Sequence, residues 1–273
     1  MKFANFLFPQ SKSNSLQNVF PLFFLTFLFL AVSCGGGEEK KEEVPDRAKV
    51  EEAKKAFEEE NYDKAKSSIE YFLAQFPNDV ESLYLYSAIL LKTNQAIKAK
   101  EKAQLLLEID PTAAEPQAIL GEVAYSRRLF PKALKLSRKA LKINPKLQAP
   151  YRVIGEIYLL EGKVKEGIKV LLEAHKLDPK DMETIKKLSS GYIKDKDYSS
   201  ALKFLEKGLE MDDQVPGIHY NLAVVYANLN EGEKAIKHID IALEQYEDRD
   251  TLFWAGKSRD TRRLIQRKFK LSP

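Results

Sequence analysis

The stretches Leu107–Pro111 (LEIDP) and Leu141–Pro145 (LKINP) are two copies of one five-residue ending, and they lie 34 residues apart. Proline also occurs one such step earlier, at Pro77, and one step later, at Pro179. A fixed period of this length indicates an array of one repeated supersecondary unit. Counted back from the prolines, the frames are residues 46–79, 80–113, 114–147, 148–181, 182–215 and 216–249.

Two places in every frame hold only alanine, glycine or serine, which supports the frames independently of the prolines. The eighth places are Ala53, Ser87, Gly121, Gly155, Ser189 and Ala223. The twentieth places are Ala65, Ala99, Ala133, Gly167, Ala201 and Ala235. Because a larger side chain would push two packed helices apart, these places predict where the two helices of each unit cross most closely.

Together, the period, the small places and the proline endings resemble the tetratricopeptide repeat family over residues 46–249. The resemblance implies an all-α fold, an α-α superhelical solenoid of six helix pairs. Residues 250–273 are predicted to form one further, basic helix that caps the solenoid. We expect its apolar side to pack against the sixth repeat through Leu252, Phe253, Trp254, Leu264, Ile265 and Phe269.

The same resemblance implies a concave groove lined by the first helix of each repeat. Family members usually present the second, fifth, ninth, twelfth and thirteenth places to it. The residues at such places that we expect to contact a partner are Phe57, Tyr84, Leu91, Tyr125, Arg152, Glu156, Lys186, Lys194, Tyr220 and Asn228. Tyrosines among charges suit an extended or helical peptide, because tyrosine buries area and keeps a polar tip. The alternative for each residue is ordinary surface.

One binding mode of the family is excluded by the residues present. Members that clamp the terminal carboxylate of chaperone peptides use asparagine at the ninth place of one repeat and at the sixth of the next. Here Asn221 occupies a sixth place, but the preceding ninth place is Ser190. We therefore expect no carboxylate clamp.

Sequence signatures of catalysis are absent. The chain contains no G-x-x-x-x-G-K-[ST], G-x-G-x-x-G, G-x-S-x-G or H-E-x-x-H motif. None of the three histidines, His175, His219 and His238, has another histidine or a cysteine one helical turn away. A single cysteine cannot build a structural zinc site of the usual kinds. We expect a protein that is not an enzyme, with no metal and no cofactor.

The N-terminal residues have a composition of their own, with eight of the 15 phenylalanines in the first 34 positions. Residues 19–32 are almost purely apolar and would make about 21 Å of helix. That is short for a hydrocarbon core of about 30 Å and typical of the apolar region of a signal peptide. We predict a signal peptide over residues 1–33.

Small residues lead directly into Cys34, the only cysteine, and resemble a bacterial lipobox. The resemblance implies that Cys34 carries diacylglycerol and fatty-acyl chains such as palmitate, and that residues 34–45 tether the repeats to a membrane. Gly35 stands where lipoproteins held at the inner membrane often have aspartate, which favours the outer membrane. The alternative is secretion without lipid, because Ala31 and Ser33 also fit ordinary signal peptidase.

Charge is distributed unevenly along the chain. The total, 44 Lys+Arg against 40 Asp+Glu, does not indicate a nucleic-acid partner. Residues 250–273, however, carry seven basic and two acidic side chains. They could contact an anionic membrane or polymer through Arg259, Arg262, Arg263 and Arg267, at about 1 kcal/mol per basic residue. The interpretation that we favour is a capping helix with a solvated outer face.

These features predict a non-catalytic protein–protein interaction scaffold. It would be a lipid-anchored, exported protein of a bacterial cell envelope that binds partner peptides or proteins in its groove, in envelope or pilus-type assembly. Lipid-anchored repeat proteins include pilotin-like pilus-biogenesis lipoproteins, which the six repeats resemble, and outer-membrane assembly lipoproteins. The alternative function is a regulatory adaptor that docks a cell-wall hydrolase or a protease.

Overall fold

A computed structural model describes residues 47–249 and 251–271, and all regular secondary structure in these ranges is α-helical. The predicted signal peptide, Cys34 and the tether lie outside the described residues. The helices are α1 (Ala48–Glu58), α2 (Tyr62–Gln75), α3 (Val80–Lys92), α4 (Ala96–Ile109), α5 (Glu115–Ser126), α6 (Phe130–Ile143), α7 (Gln148–Leu160), α8 (Val164–Leu177), α9 (Met182–Lys194), α10 (Tyr198–Met211), α11 (Pro216–Asn228), α12 (Gly232–Asp248) and α13 (Leu252–Phe269). Each predicted frame contains two of them and α13 follows the last, which confirms the predicted fold class.

Within each frame, the turn between the two helices has one repeated conformation. The fifteenth place is left-handed in all six frames, with φ between 55° and 78°, at Glu60, Asn94, Arg128, Gly162, Lys196 and Asn230. The next backbone N–H donates to a carbonyl five residues earlier, as in Asn61 to Ala56 at 2.8 Å and Lys163 to Tyr158 at 2.9 Å. This bond closes the end of the first helix and turns the chain back onto it.

The small places are where the paired helices meet, as predicted. All twelve are buried. In the fourth frame, a methyl group added to Gly167 would lie 2.9 Å from the carbonyl oxygen of Gly155 and 2.8 Å from a methyl of Leu159. A methyl on Gly155 would lie 2.6 Å from Cγ of Leu171. The two helices therefore approach closely enough for backbone to contact backbone.

The described chain divides into two compact units between Ile89 and Leu90, inside α3. In the first unit, α1 and α2 pack together around Val50 and Ile69, which are fully buried. Arg47, just before α1, forms ion pairs with Asp79 at 3.0 Å and with Glu81. The start of α1 is thereby joined to the start of α3.

The second unit contains the consecutive pairs α5/α6, α7/α8, α9/α10 and α11/α12, and α13 packs on α12. The first helices of these pairs also contact one another in order, α5 with α7, α7 with α9 and α9 with α11. A large buried cluster near the C-terminal end comprises Ile185, Leu205, Ile218, Leu222, Ile239 and Ile265, among other side chains.

The side on which α13 packs differs from the prediction. Ile265 and Phe269 face the core as expected, together with the fully buried Ala255 and Ser258. Leu252, Phe253 and Leu264 were expected at this contact but are 74%, 75% and 63% exposed. Trp254 is 40% exposed, and its ring stacks on Tyr246 of α12 as predicted, with centroids 6.0 Å apart. A helix turns by about 100° per residue, so consecutive apolar residues cannot all face one neighbour. Small side chains at 255 and 258 occupy the contact with α12 instead.

Two histidines meet in the last helix pair. His219 on α11 is buried, and its Nε2 lies 2.9 Å from the carbonyl oxygen of Asp213, to which it donates. Its Nδ1 lies 2.9 Å from Nδ1 of His238 on α12. With both rings neutral, His238 donates this bond and His219 accepts it. Tyr226 stacks on His238, with ring centroids 5.4 Å apart.

The helix crossing predicts opposite effects for one change at two glycines. Gly167→Ala should lower the free energy of unfolding by about 1–3 kcal/mol, because the methyl meets backbone and overpacks the crossing. Gly256→Ala, within α13, meets nothing within 4 Å and should stabilise by up to about 1 kcal/mol through helix propensity. Urea unfolding of both variants measures this difference. A Gly167→Ala variant as stable as Gly256→Ala would contradict the close crossing.

The histidine pair predicts acid sensitivity. Burial, and then the neighbouring His219, Lys237 and Lys234, lower the pKa of His238 to about 4, from an ordinary value of 6.5. The unfolded chain therefore binds a proton that the folded chain does not, and stability falls as the pH drops from about 6.5 to 4. After allowance for partial solvation, the loss is about 1–2 kcal/mol. Urea unfolding at pH 7 and pH 4.5 should show a smaller acid loss for His238→Gln than for the unchanged chain, and equal losses would exclude this contribution.

Candidate partner-binding face

Charged and aromatic side chains form a row across α5, α7 and α9, the first helices of the third to fifth repeats. The row consists of Glu122, Tyr125, Arg152, Glu156, Lys186, Lys187 and Lys194, and we call it the first-helix face. Because these helices contact one another in order, side chains about 30 residues apart in the sequence become neighbours. The face is a product of the stacking of repeats.

Arg152 lies at the centre of the first-helix face, between two carboxylates. Its guanidinium is 3.1 Å from Glu122 on α5 and 3.3 Å from Asp181 at the start of α9. Burial raises the pKa of Asp181, but Arg152 and the hydrogen bonds from Thr184 outweigh this effect and hold the pKa below its ordinary value. The ion pairs join α5, α7 and the start of α9.

A second set of contacts runs beside this cluster. Lys187 on α9 forms an ion pair with Glu156 on α7, and Lys186 forms one with Glu183. Burial, and then Glu156, raise the pKa of the half-buried Tyr125 above its ordinary value. Tyr125 therefore stays a neutral phenol, and its ring packs against Phe130 with centroids 5.9 Å apart.

Neighbouring repeats meet here at the ninth place of one and the sixth place of the next. Glu156 and Lys187 occupy such a pair of places and form an ion pair. Ser190 and Asn221 occupy the next pair, where the Asn221 amide lies 3.4 Å from the Ser190 hydroxyl. The polar groups at these places contact each other across the repeat boundary.

At the C-terminal end, the predicted groove residues are engaged by neighbouring elements. Lys194 is exposed and its ammonium donates to the carbonyl oxygen of Leu159 at 3.1 Å. Asn228 accepts a hydrogen bond from the Tyr198 hydroxyl at 3.1 Å. Tyr220 packs against α13, with its hydroxyl 3.2 Å from that of Thr261. The capping helix thus covers Tyr220, the predicted groove residue on α11.

The remaining predicted groove residues lie toward the N-terminus. In the first unit, the half-buried ring of Phe57 meets Tyr62 edge-on, with centroids 5.6 Å apart, and Tyr84 is half-buried on α3. Leu91, in the second unit, is half-buried near the end of α3.

Arg152 and Glu156 were predicted from the sequence to face the groove, but their ion pairs with Glu122, Asp181 and Lys187 were not predicted. The sequence feature that could have predicted these ion pairs is the presence of opposite charges in equivalent regions of adjacent repeats. Chemically, the face offers ion pairs, hydrogen bonds and aromatic area. Within residues 47–249 and 251–271, no cluster of three histidine, cysteine or acidic side chains is arranged to hold a metal.

The four arginines that were predicted to meet an anionic surface have different surroundings. Arg259 pairs with Glu247 at 3.0 Å and Arg262 with Asp240 at 2.6 Å, so both hold α13 on α12. These arginines line an open cleft of about 520 Å³ between the two helices. Arg263 pairs with Asp260 on its own helix, and Arg267 is exposed.

Comparison with known proteins identifies the repeat. Two models described as tetratricopeptide repeat match residues 50–114 and 192–259. No curated protein matches the chain. A chain in the crystal structure of the APC/C hetero-tetramer Cut9–Hcn1 is 17% identical with a TM-score of 0.65, over 77% of this chain and 40% of that one.

Two bacterial structures cover most of their own length. PilF of Pseudomonas aeruginosa is 20% identical with a TM-score of 0.53, over 71% of this chain and 93% of PilF. MamA of Desulfovibrio magneticus RS-1 is 17% identical with a TM-score of 0.50, over 63% of this chain and 97% of MamA. At these identities the likeness shows the fold alone.

The helix pairs, their 34-residue period and the family matches near both ends of the array agree. Repeat arrays of this kind generally act as non-catalytic scaffolds that bind other proteins or peptides. This chain is a tetratricopeptide repeat protein.

Proposed function

We propose that this protein is a non-catalytic scaffold that binds an extended or helical segment of a partner protein on its first-helix face. The observation that carries the proposal is the arrangement around Arg152. Ion pairs join three successive repeats there and hold tyrosine and lysine side chains beside them. A surface whose side chains are already ordered loses less entropy when a partner binds.

The charges on the face indicate the chemistry of the partner segment. Glu122, Arg152 and Asp181 largely satisfy one another, as do Glu156 and Lys187. A segment of strong single-sign charge would have to break these pairs. The face therefore suits a segment of mixed charge that contributes apolar or aromatic area against Tyr125, because buried aromatic contacts supply much of the affinity of such interfaces.

We further propose that the scaffold is held at a bacterial envelope membrane by lipid on Cys34. The support is in the sequence, where small residues precede the single cysteine and a glycine-rich, charged segment follows it. A flexible tether over residues 35–45 would span about 18 Å on average. The proposed role is envelope or pilus-type assembly, with the outer membrane favoured as the site.

Photo-crosslinking in intact cells tests the binding face. A photoreactive amino acid at Tyr125 or Lys194 should capture one and the same partner. The matched control is Lys139, which is exposed on α6, a second helix of a repeat, and should not capture it. The same partner captured equally from all three positions would contradict a first-helix binding face.

The captured partner then permits an affinity measurement. Tyr125→Ala should weaken binding by about 30-fold, because a central aromatic anchor typically contributes about 2 kcal/mol or more. Lys139→Ala should leave the affinity unchanged. The partner's identity also separates the two predicted roles, since a cell-wall hydrolase or a protease would indicate the adaptor. An unchanged affinity for Tyr125→Ala would refute the proposed face.

The anchor has a separate test. Cys34→Ser should abolish lipid attachment, seen as loss of the added acyl mass in mass spectrometry and a shift from the detergent phase to the aqueous phase. Ser33→Ala, which keeps a small residue before the cysteine, should retain the lipid. If the unchanged protein carries no acyl mass, the chain is not a lipoprotein.

A further inference from the structure

The outer face of α13 combines exposed apolar side chains with basic ones. Ala255, Ser258 and Ile265 define the side that packs on the rest of the fold. Phe253, Lys257, Asp260, Leu264 and Arg267 recur three or four residues apart and form a single stripe on the opposite side. All five side chains of this stripe are exposed.

Apolar exposure here is unusual for the last helix of a repeat array. A terminal repeat or helix normally turns a polar face to solvent, since no further repeat covers it. On α13, however, Phe253 and Leu264 are largely exposed, and Leu252 beside them is too. Exposed apolar side chains of this size, on the side of a terminal helix that also carries basic residues, make that side a candidate for contact with another apolar phase.

The basic side chains of α13 divide into two groups with different tasks. Arg259 and Arg262 are held by carboxylates of α12. Lys257, Arg263 and Arg267 are exposed and form no ion pair with α12 among the described contacts. The Lys257 ammonium lies 4.6 Å from the centroid of the Trp254 ring, and Arg263 borders the cleft between α12 and α13. Asp260 is the acidic residue among them, and its pair with Arg263 is 3.4 Å long and solvated on both sides, so it contributes little. The outer face therefore carries a net positive charge.

We propose that the outer face of α13 lies on an anionic phospholipid surface. Phe253 and Leu264 would enter the boundary between headgroups and acyl chains, and Lys257, Arg263 and Arg267 would face the lipid phosphates. Trp254 lies between this face and α12, where it stacks on Tyr246 with ring centroids 6.0 Å apart and stays 40% exposed. It suits the interface because its ring is apolar and its N–H is polar. None of the described helices is long and apolar enough to cross a bilayer. In the proposed complex α13 lies along the membrane surface.

Charge and apolarity together select this occupant. A second copy packed face to face would oppose like charges. A nucleic acid would pair with the basic residues but would leave Leu252, Phe253 and Leu264 without an apolar contact. An anionic membrane satisfies both groups of side chains. Binding also requires no opening of the fold, because Ala255, Ser258 and Ile265 stay packed.

Trp254 provides a site-specific probe, because it is the only tryptophan in the chain. Its emission is measured with the full chain and vesicles of phosphatidylcholine, alone or with 30% phosphatidylglycerol. The apolar segment at residues 19–32 is present with both kinds of vesicle, so a difference between the two measures the effect of lipid charge. We expect a blue shift with the anionic vesicles that is lost at high salt, and no shift with neutral vesicles.

Two sets of substitutions separate the contributions. Lys257→Gln, Arg263→Gln and Arg267→Gln together should raise the lipid concentration for a half-maximal shift about 100-fold, at about 5-fold per basic residue. Phe253→Ser with Leu264→Ser should raise it at least about 10-fold. The matched charge control is Lys132→Gln, Lys135→Gln and Lys139→Gln on α6, three exposed lysines whose loss should have no effect. Every substituted side chain is exposed, so we expect all variants to fold, and circular dichroism checks this.

Three results would overturn the proposal. The first is an unshifted Trp254 emission with anionic vesicles, and the second is an equal loss from the α6 control. The third is self-association that Phe253→Ser with Leu264→Ser abolishes, without a vesicle-dependent shift, because a second copy would then be the occupant. Partner binding on the first-helix face does not involve α13's outer face, so its outcome is independent of this test.

Discussion

The close crossing of two helices within each repeat is the constraint on which the fold depends. At Gly155 and Gly167 the backbones approach so closely that even one methyl group would meet a carbonyl oxygen at about 3 Å. The equivalent places in the other repeats hold alanine, serine or glycine and are buried. Because small residues recur at these places in every pair, the two helices of each pair can pack closely. The buried surface between pairs follows from that regularity.

The turn that joins the two helices of a repeat is a second shared constraint. The left-handed residue is glycine or asparagine at Gly162, Asn94 and Asn230, which adopt this conformation readily, but it is Glu60, Arg128 or Lys196 elsewhere. Glutamate, arginine and lysine adopt a positive φ less readily, because their Cβ approaches the backbone in this conformation. Helix packing on both sides and the hydrogen bond that closes the turn compensate for this cost. The tertiary fold therefore imposes the turn even where the local sequence disfavours it.

Charged side chains play different parts on the first-helix face and on α13, although both surfaces are built from the same kind of helix packing. Charges on the first-helix face are neutralised in ion pairs across repeats, which orders the side chains and leaves aromatic area for a partner. Charges on α13 are divided, since Arg259 and Arg262 fasten it to α12 while Lys257, Arg263 and Arg267 remain outside. Ion pairs thus order the side chains of the first-helix face, whereas on α13 they involve only some of the basic side chains and the outer ones stay exposed.

The sequence by itself determined the repeat period, the helix pairs, the positions of closest crossing and the polar character of the groove residues, because these depend on spacing along single helices. Only the tertiary structure decided that Arg152 meets Glu122 and Asp181, that His219 meets His238, and that Leu252, Phe253 and Leu264 face away from α12. Such contacts join residues that are distant in sequence, so they depend on how neighbouring helices are rotated about their axes. Small residues such as Ala255 and Ser258 set that rotation for α13, because they allow the closest packing, whereas hydrophobicity alone would have placed its larger side chains inside.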